Sequence, residues 1–235
     1  MNARRGQVPE DEKNFSPEAI GKMRIASGHI CYLINEGYDL KSATTFVGNH
    51  FLLSERQRLA LMRSVGTDAQ LQERLAKQRS VEDLAGEDVW IDGFNTIITL
   101  EVMLSDSILL EGMDGTVRDL AALRGTYRVI PETEEAVRIL LGHLKTAGVR
   151  KAHILLDEPV SNSGRLKALI AEIAEEATVD TDIQILREVD RALYSKENVI
   201  TSDAIILNHC VSWVNLTEGC VKERGAQVLR VWDRT

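Results

Sequence analysis

The chain changes its hydrophobic rhythm near residue 86. Before that point apolar residues recur at helical spacing; after it, short apolar runs alternate with helical stretches. In the front part, Ser16-Pro17-Glu18 is a helix start, a cap residue followed by proline in the first turn. The apolar positions Ile20, Met23, Ile25, Ile30, Leu33 and Ile34 carry that helix to about Glu36. Further helices are predicted over Leu40–Val47, broken at Gly48-Asn49, then over Ser54–Ser64 and Asp68–Lys77. Residues 1–15 read as a flexible arm, and residues 78–86 as a polar linker.

Strands are predicted over Asp88–Asp92, Lys151–Asp157, Thr181–Leu186 and Asn198–Thr201. Helices fall between them, over Asn95–Leu104, Pro131–Ala147 and Arg165–Ala177, with a short one over Ala204–Asn208. Ile108–Arg118 reads as a hairpin turning at Asp114-Gly115, and Val211–Leu216 and Gln227–Val231 supply late strands. This alternation predicts an α/β domain over residues 86–235, a mainly parallel sheet with flanking helices. A small all-helical unit over residues 1–85 precedes it.

The stretch Val89-Trp90-Ile91-Asp92-Gly93-Phe94-Asn95 organises that domain. It is a core strand ending in an acid, a glycine and an amide. Two later strands also end in aspartate, at Asp157 and Asp203. Open α/β sheets hold ligands at the carboxyl ends of their strands, so the three acids converge if their strands are neighbours. Hard cations such as Mg²⁺ or Mn²⁺ take carboxylate oxygens and keep several waters, and they activate water against a phosphodiester. Asp92, Asp157 and Asp203 are therefore the candidate metal ligands, with Glu101 as a further one. Asn95 and Ser202 would orient ligands or substrate. Each aspartate also has a purely structural reading, as the cap of the next helix.

Composition narrows the picture. The 235 residues are 44% hydrophobic and carry a net charge of −8, which argues against a protein coated in basic surface. The acidity lies in the second part: residues 1–85 balance to +1 and residues 86–235 to −9. Cys31, Cys210 and Cys220 show no zinc or redox spacing and suit a reducing compartment. No apolar run reaches a membrane span, and the expected location is the cytoplasm. The loop Ser161-Asn162-Ser163-Gly164-Arg165 before a helix offers hydroxyls, an amide and free N–H groups to a phosphate. Arg118, Arg124 and Arg128 are candidate contacts to a phosphate backbone, and Tyr127 to a base. Arg56, Arg58 and Arg63 make the Ser54–Ser64 helix the most basic element, a solvated face on a packing helix or a recognition helix. The five histidines fall at no metal-ligand spacing.

The residues Asp92-Gly93-Phe94-Asn95, Asp157 and Thr201-Ser202-Asp203 resemble the acidic pattern of PIN-like nucleases, especially their NYN branch. That resemblance implies a PIN-like, Rossmann-like fold and a metal-dependent ribonuclease. Two features depart from it: Ala204-Ile205 follows Asp203 where a second acid is usual, and the hairpin interrupts the expected helix and strand. Over most of its length the chain also resembles the prokaryotic domain of unknown function 434. The stretches that carry this are Tyr38–Arg63, Ile91–Glu101, Arg118–Arg128 and Leu155–Gly164. Asp92–Thr96 is superficially similar to the nucleophile loop of haloacid-dehalogenase phosphatases, but Phe94 stands where that loop needs its second aspartate. The expected function is hydrolysis of phosphodiesters by a metal-dependent nuclease. The alternative is a non-catalytic nucleotide or nucleic-acid binding module on the same fold. Expected partners are nucleic acid, RNA rather than DNA, and a second copy held through the front helices, with no membrane.

Overall fold

The computed structural model describes residues 4–121 and 125–233. Five helices lead the chain: α1 (Asp11–Asn14), α2 (Pro17–Asn35), α3 (Leu40–His50), α4 (Glu55–Ser64) and α5 (Asp68–Lys77). A short strand β1 (Gln78–Arg79) and a 3₁₀ turn follow. Then come β2 (Asp88–Asp92), α6 (Gly93–Leu104), β3 (Leu109–Glu111), β4 (Val117–Asp119), α7 (Pro131–Thr146), β5 (Lys151–Asp157) and α8 (Ser163–Ala177). The chain closes with β6 (Thr181–Leu186), α9 (Val189–Leu193), β7 (Val199–Ile200), α10 (Ala204–His209), β8 (Trp213–Val214), α11 (Leu216–Glu223) and β9 (Val228–Leu229).

The front helices begin where their sequence says. Ser16, Asp39, Ser54 and Thr67 each accept a hydrogen bond from the N–H three residues on. Helix α3 does not break at Gly48-Asn49. A Cβ at Gly48 would lie 2.7 Å from the Arg58 side chain, so this glycine makes room for a neighbour instead of ending the helix.

The expected flexible arm is docked over its described part. Arg56 holds the Asp11 carboxylate at 2.8 and 2.9 Å and the Gly6 carbonyl at 2.6 Å. Phe15 is buried in the front core. Arg56, Arg58 and Arg63 are thus internal ties and not a reading surface: Arg63 pairs with Asp119, and Arg58 donates to Leu53 and Asn49. The expected linker is structured too, because β1 adds to the edge of the main sheet beside β8.

That sheet has the order β1-β8-β7-β2-β5-β6, and all its pairs are parallel. Counting β2, β5, β6, β7 and β8 as one to five gives 3-2-1-4-5, the doubly wound arrangement. Helices α6, α7, α8 and α11 cover one face with Val89, Ile91, Ile154 and Leu156. Helices α9 and α10 cover the other with Leu155, Val199 and Trp213. The winding reverses between β2 and β7, the kind of switch point at which open α/β sheets hold their ligands.

A second sheet, β4-β3-β9, wedges between the helical unit and the main sheet. Alternation along β3 explains its position: Leu109 joins the sheet core, and Leu110 joins the helical core. Met113, Leu120, Val231 and Trp232 also enter the front core, so the helices of residues 11–77 pack on later parts of the chain. Among the described residues no helix is long and apolar enough to cross a membrane.

Candidate functional site

The parallel register brings the three strand-end acids to one edge. Ile91 pairs with Ile200, so Thr201 continues beside Asp92. On the other side Asp92 pairs with Leu155, and Asp157 lies two residues beyond. The chain leaves Asp92 directly into α6. A Cβ at Gly93 would come 2.6 Å from Leu156 and 2.8 Å from the Leu155 carbonyl, so only glycine lets the helix start this close to β5.

Asp92 is buried, yet it does not cap α6. Its Oδ2 accepts the Thr201 hydroxyl at 2.9 Å. Burial pushes its pKa up to about 8, Asp203 adds to the rise, and Asp157 and Asp190 add smaller contributions against the Thr201 hydrogen bond. Burial and Asp190 raise the Asp157 carboxyl as well. Burial and Asp203 raise Asp190 in turn. Four acids therefore share one electrostatic neighbourhood. Sequence reading missed Asp190, which sits on α9 after β6; the only sign of it is an aspartate in the crossover that returns over β5 and β2.

Asp203 keeps its structural role. Its Oδ1 caps α10 by accepting the Ile205 and Ile206 N–H groups at 2.7 and 3.2 Å. Asn95 Oδ1 accepts the Ser202 N–H at 2.8 Å and the Ser202 hydroxyl at 3.0 Å. This ties the first turn of α6 to the end of β7. Two arginines grip the same turn: Arg118 donates to the Ser202 carbonyl at 2.8 Å, and Arg74 to the Ala204 carbonyl at 3.2 Å. Both are held by buried Asp114, at 2.5 and 2.6 Å. Burial pushes the Asp114 carboxyl up, but Arg118, Thr116 and Arg74 outweigh it and hold the pKa at about 2.

Glu101 is not part of this group. It is fully buried, ion-paired with Arg5 at 2.8 Å, and accepts hydrogen bonds from Tyr127 at 2.6 Å and from Thr133. Its oxygens are used inside the fold, so the expectation of a metal ligand at Glu101 is corrected. The loop before α8 stays at the surface but spends its polar groups on the fold. Ser161 Oγ accepts the Tyr127 N–H and donates to its carbonyl, each at 2.9 Å, and Asn162 Nδ2 donates to that carbonyl at 2.7 Å. Tyr127 is a buried packing residue beneath the Arg5 guanidinium and not an exposed stacking surface. Arg118 is spent on Asp114 and the β7 turn. Ser163 begins α8, Arg165 and Arg128 are exposed, and Arg124 lies outside the described residues.

The donor set offers oxygen ligands of the kind Mg²⁺ or Mn²⁺ takes, and burial and neighbouring carboxylates raise the proton affinity of Asp92, Asp157 and Asp190. Among the described residues, however, no three His, Cys, Asp or Glu side chains are gathered into a metal-holding cage.

The family described as "Domain of unknown function (DUF5616)" matches residues 81–219. The chain belongs to that family. The DUF5616 part begins just before β2 and contains Asp92, Asp157, Asp190 and Asp203. A second family, "Protein of unknown function (DUF434)", matches residues 22–77, from within α2 to the end of α5. The resemblance to that second family is thus shown for the front helices from within α2 to α5, and strands β2 to β8 fall in the DUF5616 match. An uncharacterized protein of Methanocaldococcus jannaschii is 34% identical over 176 residues, 75% of this chain and 84% of the relative. No solved structure matches the chain.

Proposed function

We propose that this protein is a divalent-metal-dependent nuclease with a PIN-like arrangement, acting on RNA. The observation that carries the reading is Asp92: a buried carboxylate at the switch between β2 and β7, left without a cap role and facing three other acids. Asp92, Asp157 and Asp203, with Asp190, would hold Mg²⁺ or Mn²⁺. The ion would supply an activated water and stabilise charge developing on a phosphodiester. Asn95 and Ser202 keep the two strand ends in register, and Ser163, Arg165 and Arg128 lie on the exposed rim toward α8. Tyr194 and His209 stack at 4.4 Å, one turn beyond Asp190 and at the end of α10 away from Asp203. Such a pair offers a flat face to an unpaired base, which favours single-stranded substrate.

A non-catalytic binding module on the same fold is the second reading. It is favoured by the Asp203 oxygen committed to capping α10. Calorimetric titration of Mn²⁺ into wild type and Asp92→Asn, followed by single-stranded RNA with and without Mn²⁺, separates the two. The nuclease reading expects metal binding and metal-dependent cleavage that both disappear in the variant. RNA binding that survives in both proteins without cleavage would establish the module instead.

A further inference from the structure

Most of the exposed large hydrophobic side chains in the described residues gather on one part of the surface. Ile25, Tyr32 and Phe46 are 60%, 67% and 71% exposed and line one groove, and exposed Tyr38 and Leu52 precede and follow α3 in the chain. All lie on or next to α2 and α3. Between the two helices runs a groove of about 590 Å³, lined among others by Ile25, Gly28, His29, Leu33 and Val47, with Phe46 protruding at its side. A solitary exposed apolar residue needs no account, but a contiguous patch of this kind marks an interface.

The charge order along α2 says what kind. The outward positions, three or four apart, are Lys22, Ile25, His29, Tyr32 and Glu36. The outward line of α2 carries a cation at one end and an anion at the other; the charged groups that line the groove between them, Arg24 and Asp233, are paired with each other at 4.0 Å. We propose that this face pairs with the same face of a second copy of the chain, across a two-fold axis near His29. Turning the sequence of charges about that point lays Lys22 of each copy against Glu36 of the other, at both ends of the contact. It sets Ile25 of one copy near Tyr32 and Leu33 of the other, and Gly28, lacking a side chain, lets the helices approach. Phe46 then enters the groove of the opposite copy. A parallel arrangement would put Lys22 against Lys22 and Glu36 against Glu36, so the charge order selects the antiparallel, isologous contact. This inference is independent of the nuclease reading, since the face shares no residue with the acidic site.

Sedimentation equilibrium of the full chain across the micromolar range tests it. Wild type is expected to sediment at twice the chain mass and Phe46→Glu at the chain mass. Lys22→Glu and Glu36→Lys are each expected to weaken association at least several-fold, and the two together to restore it. All three side chains are exposed, so unchanged urea midpoints, extrapolated to low protein concentration, will show that the variants fold. A wild type that stays monomeric overturns the proposal. So does a Phe46→Glu dimer, or a charge-reversed pair that associates no better than either single variant.

Discussion

Thr201 donates its hydroxyl to Asp92 across 2.9 Å, and the same oxygen accepts the Asp203 N–H at 3.0 Å. One side chain thus links the ends of β2 and β7. It is also the hydrogen bond that opposes the upward drive on Asp92. Removing it by Thr201→Val should push the Asp92 pKa higher still, measurable as a later titration of the Asp92 carboxyl carbon by NMR. An unchanged midpoint would mean that the hydroxyl does not stabilise the charged form.

The raised pKa of Asp92 makes stability depend on pH in a definite direction. The unfolded carboxyl titrates near 4, and the folded one at about 8. Between these values the folded chain keeps a proton that the unfolded chain has lost, so stability falls as pH rises through that window. Without divalent ions, the melting temperature of wild type should drop from about pH 5 to about pH 8 more than that of Asp92→Asn. Parallel curves for the two proteins would rule out a burdened carboxylate at this position.

If the site takes a cation, the same proton must leave on binding. Mn²⁺ affinity should rise with pH toward about 8, and the apparent binding enthalpy should vary with the ionisation enthalpy of the buffer. Affinity independent of pH and buffer would separate metal binding from Asp92.

Asp114 stabilises charge in the opposite sense. Its folded pKa of about 2 lies below the unfolded value, so its contribution is present above about pH 4 and is lost as pH falls toward 2. Asp114→Ala leaves Arg74 and Arg118 buried without their anion and should cost about 3–5 kcal/mol in urea denaturation. Because those arginines hold the carbonyls on either side of Asp203, Mn²⁺ binding should also weaken in whatever fraction remains folded. A loss of stability with intact metal affinity would confine Asp114 to the hairpin.

The Arg5–Glu101 pair pins the front of the chain to α6. Arg5→Ala strands a buried carboxylate and should cost about 3–5 kcal/mol. Adding Glu101→Gln should recover much of that loss, since an amide needs no cation. A double variant as unstable as Arg5→Ala alone would show that packing against Tyr127, and not charge, sets the cost.

If single-stranded RNA is the substrate, Tyr194→Ala should weaken its binding by roughly 1–3 kcal/mol, the scale of one base stacking on an aromatic ring. Mn²⁺ affinity should not change. Equal RNA affinity in both proteins would remove the Tyr194–His209 pair from the proposal.

Local signals made most helix starts, the strands and the two strands that end in aspartate, β2 and β5, legible in the sequence. Caps at Ser16 and Ser54 act over three residues, and strand alternation acts over two, so neither needs the rest of the molecule. The amino-acid order also placed Asp92 and Asp157 at strand ends, and Asp203 in the turn that follows a strand and caps α10. Only the tertiary structure decided that those strands lie side by side, because parallel pairing joins segments dozens of residues apart. The same long-range pairing added Asp190 to the group and assigned Arg74, Arg118 and Asp114 to hold its edge. It also took Glu101 away: six residues along α6 from Asn95, it is turned by roughly 240° from that side chain. There it meets Arg5, about a hundred positions earlier in the chain, and a buried carboxylate that far from water is held by whichever cation the fold delivers to it.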